Sequence, residues 1–479
     1  MSLGITEEMI ARQPAEAQAI IRLLLAHIAQ QDREISALKA DVATLKAELA
    51  ALRKTPRNSS LPPSSEHPHA KPLPKKTHSQ KKRGGQPGHA RHERPLIPVE
   101  DCPKVIPLKP SACRRCGEKL RGDDPEPWRH QVWELPEIKP FVTEYRRHRL
   151  ECPCCHETTC GELPLGVPTG QSGPRLVAFT ALLMAYYRQS KSRTAQFLST
   201  LLGVPCCPAL TVKMQSLVTA ATRPAYDELV ARLPDQPQLN IDESPTKEAS
   251  RKSWLWAFVA KPFTVFAVRA TRAATALSDL LTDRFRGFVT CDRAKMYWAQ
   301  GRLQWCWAHL KRDIQALIDH ADAQVRRLGQ DLMKSVKELF RQWHRYQGGE
   351  LTRPGLKQAL APTCQTIESL LLRGVYSGHT RLTGMCRELW DHRHWLWTFL
   401  DHEGMEPTNN AAERSLRHAV IWRKLSFGTQ SAQGSRFVET LLTVIETCRQ
   451  QSRNVFQFLT TAVEAHFAKQ KSPSLVSGP

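Results

Sequence analysis

The chain has 479 residues, with 68 lysines and arginines against 46 aspartates and glutamates, for a formal charge of +22. That length predicts two to four folded units rather than one, and the positive surplus points to a polyanionic partner, nucleic acid first among them. No run of eighteen apolar residues occurs and MSLGITEEMIARQ has no basic segment followed by an apolar one, so neither a membrane span nor a secretory leader is expected, and the cytoplasm, in association with the nucleoid, is the expected location.

In chain order, residues 1–56 are expected to dimerise the chain as a coiled coil. Ile21, Ile28, Ile35, Val42 and Leu49 repeat every seven residues, and Leu24, Gln31, Leu38, Leu45 and Leu52 form the second seam. β-branched residues on one seam and leucine on the other favour two parallel strands, with Gln31 a polar break that sets register. Pro56 ends the pattern. Residues 57–98 are expected to be a disordered basic linker. NSSLPPSSEHPH opens it, and KPLPKKTHSQKKRGGQPGHARHER (71–94) carries eight lysines and arginines against one glutamate. Lys81, Lys82 and Arg83 are candidate phosphate contacts there.

Residues 99–165 hold two cysteine knuckles, Cys113-Arg-Arg-Cys116 and Cys152-Pro-Cys154-Cys155, separated by 35 residues. The spacing matches a zinc ribbon, and with the fourteen cysteines expected to be reduced, these are read as metal ligands rather than disulfides. Cys113, Cys116, Cys152 and Cys155 are the expected structural Zn2+ ligands, although Cys154, His156 and Cys160 leave the fourth position open. QVWEL and FVTEYRRHRLE are expected as ribbon strands, and Arg146, Arg147 and Arg149, flanking the zinc, could touch DNA. Residues 170–233 read as helical. Arg193–Leu202, Gly203 and Ala209–Thr222 have the outline of a helix-turn-helix DNA-binding motif, and equally that of two ordinary packed helices.

After Pro237 the texture changes. QLNIDES, WLWAFVA, FTVFAVR, GFVTCD and LQWCWAHL are expected strands, with Lys-Pro turning a hairpin between the second and third, TRAATALSDLL forming a helix before the fourth, and a short helix before the fifth. This is the element order of a ribonuclease-H-like α/β domain, assigned to residues 234–433. Its first strand is expected to be central and to carry Asp242, and its fourth to lie beside the first and carry Asp292. Alternation along QLNID favours Asp242 over Glu243 as the acid turned to the site. A third acid is expected from a helix crossing the sheet, and EPTNNAAERSLRHAVIWRK supplies Glu413 after a candidate cap at Thr408 or Asn409. Arg414, Arg417, Arg423 and Lys424 follow as candidate DNA contacts. Hard carboxylate oxygens suit Mg2+ or Mn2+, and two such ions roughly 3.5 to 4 Å apart activate the attacking oxygen and stabilise the leaving one. No phosphate-loop glycine motif points to ATP. His309 is expected as a core or supporting residue rather than the general base. Trp305 and Trp307 are expected in the core, with base stacking a lesser alternative, and Cys291 and Cys306 as buried small residues.

These residues resemble the transposases of the insertion-sequence-66 family over nearly the whole chain. The resemblance is carried by the N-terminal zipper, NSSLPPSSE, KKRGGQPGH, CRRCG with CPCC, IDES, TCDRAKMYW, WCWAHLKRD, and NNAAERSLR with RKLSFGTQS. Gln189–Ala195 departs from it. The resemblance implies a catalytic triad of Asp242, Asp292 and Glu413, a helical insertion (about 315–405) within the 120 residues between the last two, and a helical terminal region (434–479). The expected fold is therefore multidomain α+β: coiled coil, zinc ribbon, ribonuclease-H-like core with insertion, and helical C-terminus. The expected activity is Mg2+-dependent cleavage and strand transfer at the ends of a mobile element. Asp242 would bridge the ions, with Asp292 and Glu413 each completing one. Expected partners are double-stranded DNA at element ends and target, a second copy through the zipper or a higher oligomer, and companion proteins encoded beside the element. The alternatives are a zipper-dimerised DNA-binding regulator with an inactive core, and a structure-specific nuclease.

Overall fold

Ala15–Leu52 contains no glycine or proline and is rich in alanine, leucine, glutamate and glutamine, the residues that lose least on entering a helix. It forms one helix of 38 residues, α2, preceded by the short α1 (Glu7–Ala11). The computed structural model describes residues 7–52 and 94–476. Lys81, Lys82 and Arg83, with the linker stretch 57–93, lie outside the described residues.

The knuckle region carries one small hairpin, β1 (Arg149–Glu151) antiparallel to β2 (Thr158–Cys160). QVWEL is not a strand, and FVTEYRRHRLE is one only over its last three residues. The alternation there has nothing to pair with: Val132, Leu135, Phe141 and Val142 are all largely exposed, and an isolated strand without a covered face has no reason to persist.

The remainder is built around a five-stranded sheet. Helices α3 (Pro174–Ala185), α4 (Lys191–Leu201) and α5 (Pro208–Ala231) lead into β3 (Gln238–Glu248), β4 (Arg251–Val259) and β5 (Thr264–Arg269). Then come α6 (Thr275–Leu281), β6 (Phe288–Cys291), a short 3-10 turn at Lys295–Gln300, and β7 (Leu303–Trp305). The spatial order is β5-β4-β3-β6-β7. The first three strands form an antiparallel meander, while β3–β6 and β6–β7 are parallel. β3 is thus central and β6 is its parallel neighbour, as the element order predicts.

LQWCWAHL is a strand only to Trp305; Trp307 already begins α7 (Trp307–Ile318). The buried positions Trp307, Leu310, Ile314 and Leu317 recur with helical spacing, which overrides the aromatic content that suggested a strand. The helical insertion follows as α8 (Ala323–Gln347), α9 (Arg353–Val375), α10 (Thr380–Asp391) and α11 (His394–Asp401). α11 returns to cover the edge of the sheet. The Gln304 amide and the Trp307 indole both donate to the carbonyl of Leu396, and Phe399 N donates to Gln304 Oε1 at 2.7 Å. The edge strand β7 is thus covered by a helix, one of the ways in which sheet edges are protected. Trp305 and Trp307 are 0% and 2% exposed, which places both in the core.

α12 (Asn410–Ser426), α13 (Ala432–Gln450) and α14 (Val455–Phe467) complete the chain. α13 packs on β5 and α5, and α14 on α3 and α5, so the helices before and after the sheet form one layer. Its polar centre is Glu439, fully buried on α13, which receives Arg223 at 2.9 Å, Arg436 at 2.6 Å and the Val268 amide at 3.0 Å. Among the described residues no helix is long and apolar enough to cross a membrane.

Candidate active site

Along β3 the side chains alternate. Leu239 and Ile241 are fully buried, while Asn240 and Asp242 take the opposite face, against which α12 packs. The N-terminal end of α12 is tied to that strand by Asn409. Its side-chain amide donates to the Ile241 carbonyl at 2.7 Å and its oxygen accepts from Asn240 at 3.1 Å. Asn409 is the cap residue by position, but its side chain makes no cap bond; the strand has claimed it. The other end of α12 is tied as well. Arg423 donates to the Pro245 carbonyl, Thr429 N donates to Lys247 O at 2.9 Å, and Ala249 N donates to Thr429 O at 2.7 Å. A 17-residue helix, about 25 Å long at 1.5 Å per residue, is thereby laid along β3 and pinned at both ends, with Glu413 one turn past Asn409.

Asp292 follows the last residue of β6, beside β3, and its Oδ1 accepts from Ala294 N at 2.8 Å. The three acids act on one another. Burial, and after it the charges of Glu243, Asp292 and Glu413, push the Asp242 carboxyl well above the usual carboxylate range, against a single backbone hydrogen bond from Glu243 N at 3.0 Å. No lysine or arginine among the described residues forms an ion pair with Asp242.

Glu243 is placed differently. Its side chain is 3% exposed and lies 2.6 Å from the Arg272 guanidinium, which itself sits 3.8 Å from Asp292 Oδ2. Tyr297 donates its hydroxyl to the other Glu243 oxygen. Burial and the Asp292 charge push Glu243 up to about 7, while Arg272 and Tyr297 pull against them. Arg272 is held over the Trp254 ring, 5.3 Å from its centroid. The strand thus carries one compensated acid and one uncompensated acid in succession. A divalent cation is the natural partner for Asp242, since mutually repelling, half-buried carboxylates do not readily all ionise without one.

Glu413 Oε1 lies 3.5 Å from both Arg312 Nη2 and His309 Nδ1. His309 is on the first turn of α7, not in a strand. Among the described residues, the group of three or more histidine, cysteine or acidic side chains with ligand atoms all within 4.8 Å is Cys306, His309 and Glu413. Asp242, Asp292 and Glu413 are not drawn together that tightly, although the charges of Asp292 and Glu413 both act on Asp242. All three offer hard oxygens, which fit Mg2+ or Mn2+. Cys291 and Cys306 are buried.

Of the basic residues on α12, Arg414, Arg417 and Lys424 are exposed and Arg423 turns inward to the strand backbone. Arg272, Tyr297, Arg312 and the strand tie of Asn409 are site features that sequence reasoning missed. Arg312 was recoverable: three residues after His309, it shares a helix face with it once α7 is recognised as a helix.

The two cysteine knuckles have the same local build. Cys113 N donates to Glu118 O and Gly117 N back to Cys113 O; Cys152 N donates to Glu157 O and His156 N back to Cys152 O. Gly117 and His156 occupy the same left-handed conformation (φ 75° and 57°). Hydrogen bonds from the backbone of Cys116 and Arg115, and of Cys155 and Cys154, hold the first thiol of each knuckle below its ordinary value, which favours the thiolate a zinc ion needs. The sulfurs of the two knuckles are not drawn into one cluster.

The sequence profile of a zinc-finger binding domain of the IS66 transposase matches residues 110–156, and a family of unknown function matches residues 6–95. Two uncharacterized proteins of Sinorhizobium fredii are similar to the chain. Protein y4qI is 24% identical over 267 residues, covering 49% of this chain and 48% of that protein. Protein y4jO is 27% identical over 158 residues, covering 32% of this chain and 46% of that protein. The chain therefore spans about half the length of the curated relatives it matches. Structural zinc at the cysteine knuckles accords with the zinc-finger match. The profile of the Transposase IS66 family matches residues 169–436, more than half of the chain and the whole of the sheet with its three acids, and the chain belongs to that family.

Proposed function

We propose that the chain is a DDE-type DNA transposase whose Mg2+- or Mn2+-dependent site is formed by Asp242, Asp292 and Glu413 on a ribonuclease-H-like sheet. The observation that carries this reading is the convergence of Asp292 and Glu413 on Asp242, a half-buried acid with no ion-pair partner among the described residues, from the end of the parallel neighbour strand and from the first turn of a helix tied to β3. The strand order, with β3 central in an antiparallel meander and β6 parallel beside it, supports the fold.

When bound, Mg2+ would polarise the attacking and leaving oxygens of an in-line displacement at phosphorus. Asp242, Asp292 and Glu413 would hold the ions between them, with Asp242 shared. In cleavage, water adds to phosphorus as the bond to the 3′ oxygen breaks, leaving a 3′-hydroxyl and a 5′-phosphate. In strand transfer that hydroxyl displaces a 3′ oxygen of target DNA in the same way. The exposed Arg414, Arg417 and Lys424 line the helix that carries Glu413 and would grip backbone phosphates, while Arg423 holds the helix to β3. The knuckles, the basic stretch with Lys81, Lys82 and Arg83, and the zipper helix would bind and pair two element ends, with companion proteins of the same element assisting. Pairing the ends supplies the proximity on which the second step depends.

The test uses purified full-length chain, a duplex carrying an element end, and Mg2+. Cleavage followed by joining of the 3′ end to a second duplex is expected, and Asp242→Asn and Glu413→Gln should abolish both while leaving duplex binding unchanged. Binding without cleavage in the wild type would instead support a DNA-binding regulator. Cleavage of branched DNA with no joining of a pre-cut 3′ end would support a structure-specific nuclease.

A further inference from the structure

Three ligand-type side chains meet where α7 begins against α12. Cys306 follows β7, His309 is one turn further on, and Glu413 reaches in from α12. Their sulfur, ring nitrogen and carboxylate oxygen all lie within 4.8 Å of one another. Cys306 is fully buried and His309 is 8% exposed. A second observation points to a ligand: His309 Nδ1 is buried with no hydrogen-bond partner, yet it lies 3.5 Å from Glu413 Oε1. A ring nitrogen sealed from water and left unpaired is costly in a folded protein, and a cation between it and the carboxylate would satisfy it. The Cys306 sulfur meanwhile accepts the backbone N–H of Asn409 at 3.1 Å, a supporting contact of the kind that orients a metal ligand from outside its shell.

We propose that Cys306, His309 and Glu413 form a second metal site, selective for a borderline transition ion of the Zn2+ or Co2+ class and distinct from the carboxylate site. Sulfur and imidazole select against Mg2+ and Ca2+, and three protein ligands leave the fourth tetrahedral position to water. The ion replaces the thiol proton of Cys306, which is released to solvent, and displaces the Arg312 guanidinium from Glu413 Oε1. Glu413 is shared between the two sites. An ion held by Cys306 and His309 therefore competes with the carboxylate site for Glu413, so zinc opposes Mg2+-dependent cleavage; only this last consequence rests on the proposed transposase chemistry.

The experiment is zinc stoichiometry on the full-length chain, freed of loose metal by gel filtration. The wild type should retain about two ions per chain, one at the knuckles and one here. Cys113→Ala with Cys116→Ala should remove the first alone, and Cys306→Ala or His309→Ala the second alone. In the knuckle-deficient chain, Co2+ should give a thiolate-to-cobalt absorption band that vanishes with Cys306→Ala. If Cys306→Ala or His309→Ala loses its near-ultraviolet circular dichroism, Glu413→Gln and the cobalt spectrum of the knuckle-deficient chain carry the decision. The proposal is overturned if the knuckle-deficient chain takes up neither ion, or if its band survives the loss of Cys306. Absent metal at this site alongside intact Mg2+-dependent cleavage would sink this proposal alone. Metal uptake at Cys306 and His309 in a chain that, stripped of zinc and supplied with Mg2+, still does not cleave would sink the other.

Discussion

The side-chain amide of Asn409 donates to the carbonyl of Ile241 at 2.7 Å, joining the residue before α12 to the residue before Asp242. Two acids 171 positions apart in sequence are thus held in register by a buried amide at the end of α12 nearest to them. Asn409 is 1% exposed, and its removal would leave the Ile241 carbonyl and the Asn240 amide unpaired. Such groups cost about 1 to 3 kcal/mol each when stranded. Asn409→Ala is expected to lower stability by about 2 kcal/mol in urea melts and to slow strand cleavage by roughly 100-fold, the effect of a displacement near 1 Å at a reacting centre. Asn409→Asp should do no better, because it presents an oxygen to a carbonyl. If Asn409→Ala melts early but cleaves at the wild-type rate, the tie is merely structural.

Arg272 neutralises Glu243 and leaves Asp242 unpaired. Arg272→Ala strands a nearly buried carboxylate, and because the guanidinium is 43% exposed the expected loss is toward the low end, about 1 to 2 kcal/mol. Glu243→Gln should recover most of it, since the stranded charge is then gone. A double-mutant cycle on thermal stability measures the coupling. Additive effects would mean that the pair contributes nothing as a pair.

Part of this candidate site was legible in the sequence because QLNID and GFVTCD each lead from apolar residues into an acid, and period-two alternation separates Asp242 from Glu243. The charge placement completes that reading: Glu243 meets Arg272 and Tyr297, contacts that come from 29 and 54 residues away and leave no local pattern. Glu413 was legible from its Asn-Ala-Ala-Glu text, but the reason for the asparagine was not. A cap is the local expectation, and a tertiary partner won. LQWCWAHL misled because two tryptophans around Cys306 satisfy either period. Helical spacing emerges only when Leu310, Ile314 and Leu317 are counted with Trp307, and until then Cys306, His309 and Arg312 do not fall on one face. In the knuckle region the alternation of QVWEL is genuine but unpartnered, and β-structure depends on what lies across the ladder more than on local preference.

Glu446 on α13 accepts from Ser415 of α12 at 2.9 Å and from Nε and Nη2 of Arg449, one edge of its guanidinium. Burial alone pushes its carboxyl up, but the hydrogen bonds from Arg449 and Ser415 outweigh it and leave it below the ordinary glutamate value. A folded-state value lower than the unfolded one means that the unfolded chain binds the proton more tightly. The stabilisation is therefore complete above about pH 4.5 and is lost as pH falls through the folded-state value. Glu446→Gln should flatten the acid limb of the stability curve, and Ser415→Ala should move it toward neutrality at a cost of about 1.5 to 3 kcal/mol. Chemical denaturation from pH 3 to 7 reads both; an unaltered acid limb in Glu446→Gln would assign it to other carboxylates.

Along α2, Leu24, Ile28, Ile35 and Leu38 are 52%, 38%, 46% and 62% exposed and recur at the seven-residue spacing of a two-stranded seam. Covering each such side chain contributes about 1.5 to 3 kcal/mol, which is enough for four of them to hold two chains together. Ile28→Asp with Ile35→Asp places two charges in that seam, and the full-length chain should fall from dimer to monomer mass in light scattering. Joining of two element ends should fall with it, while cleavage of a single end persists, because the sheet and its acids lie on other elements. Gln31 offers the converse check. A polar residue in an apolar seam costs stability and fixes the number of strands, so Gln31→Leu should raise the dimer's thermal stability and loosen its stoichiometry toward higher assemblies. An unchanged mass in Ile28→Asp with Ile35→Asp would mean that α2 covers its apolar face in some other way.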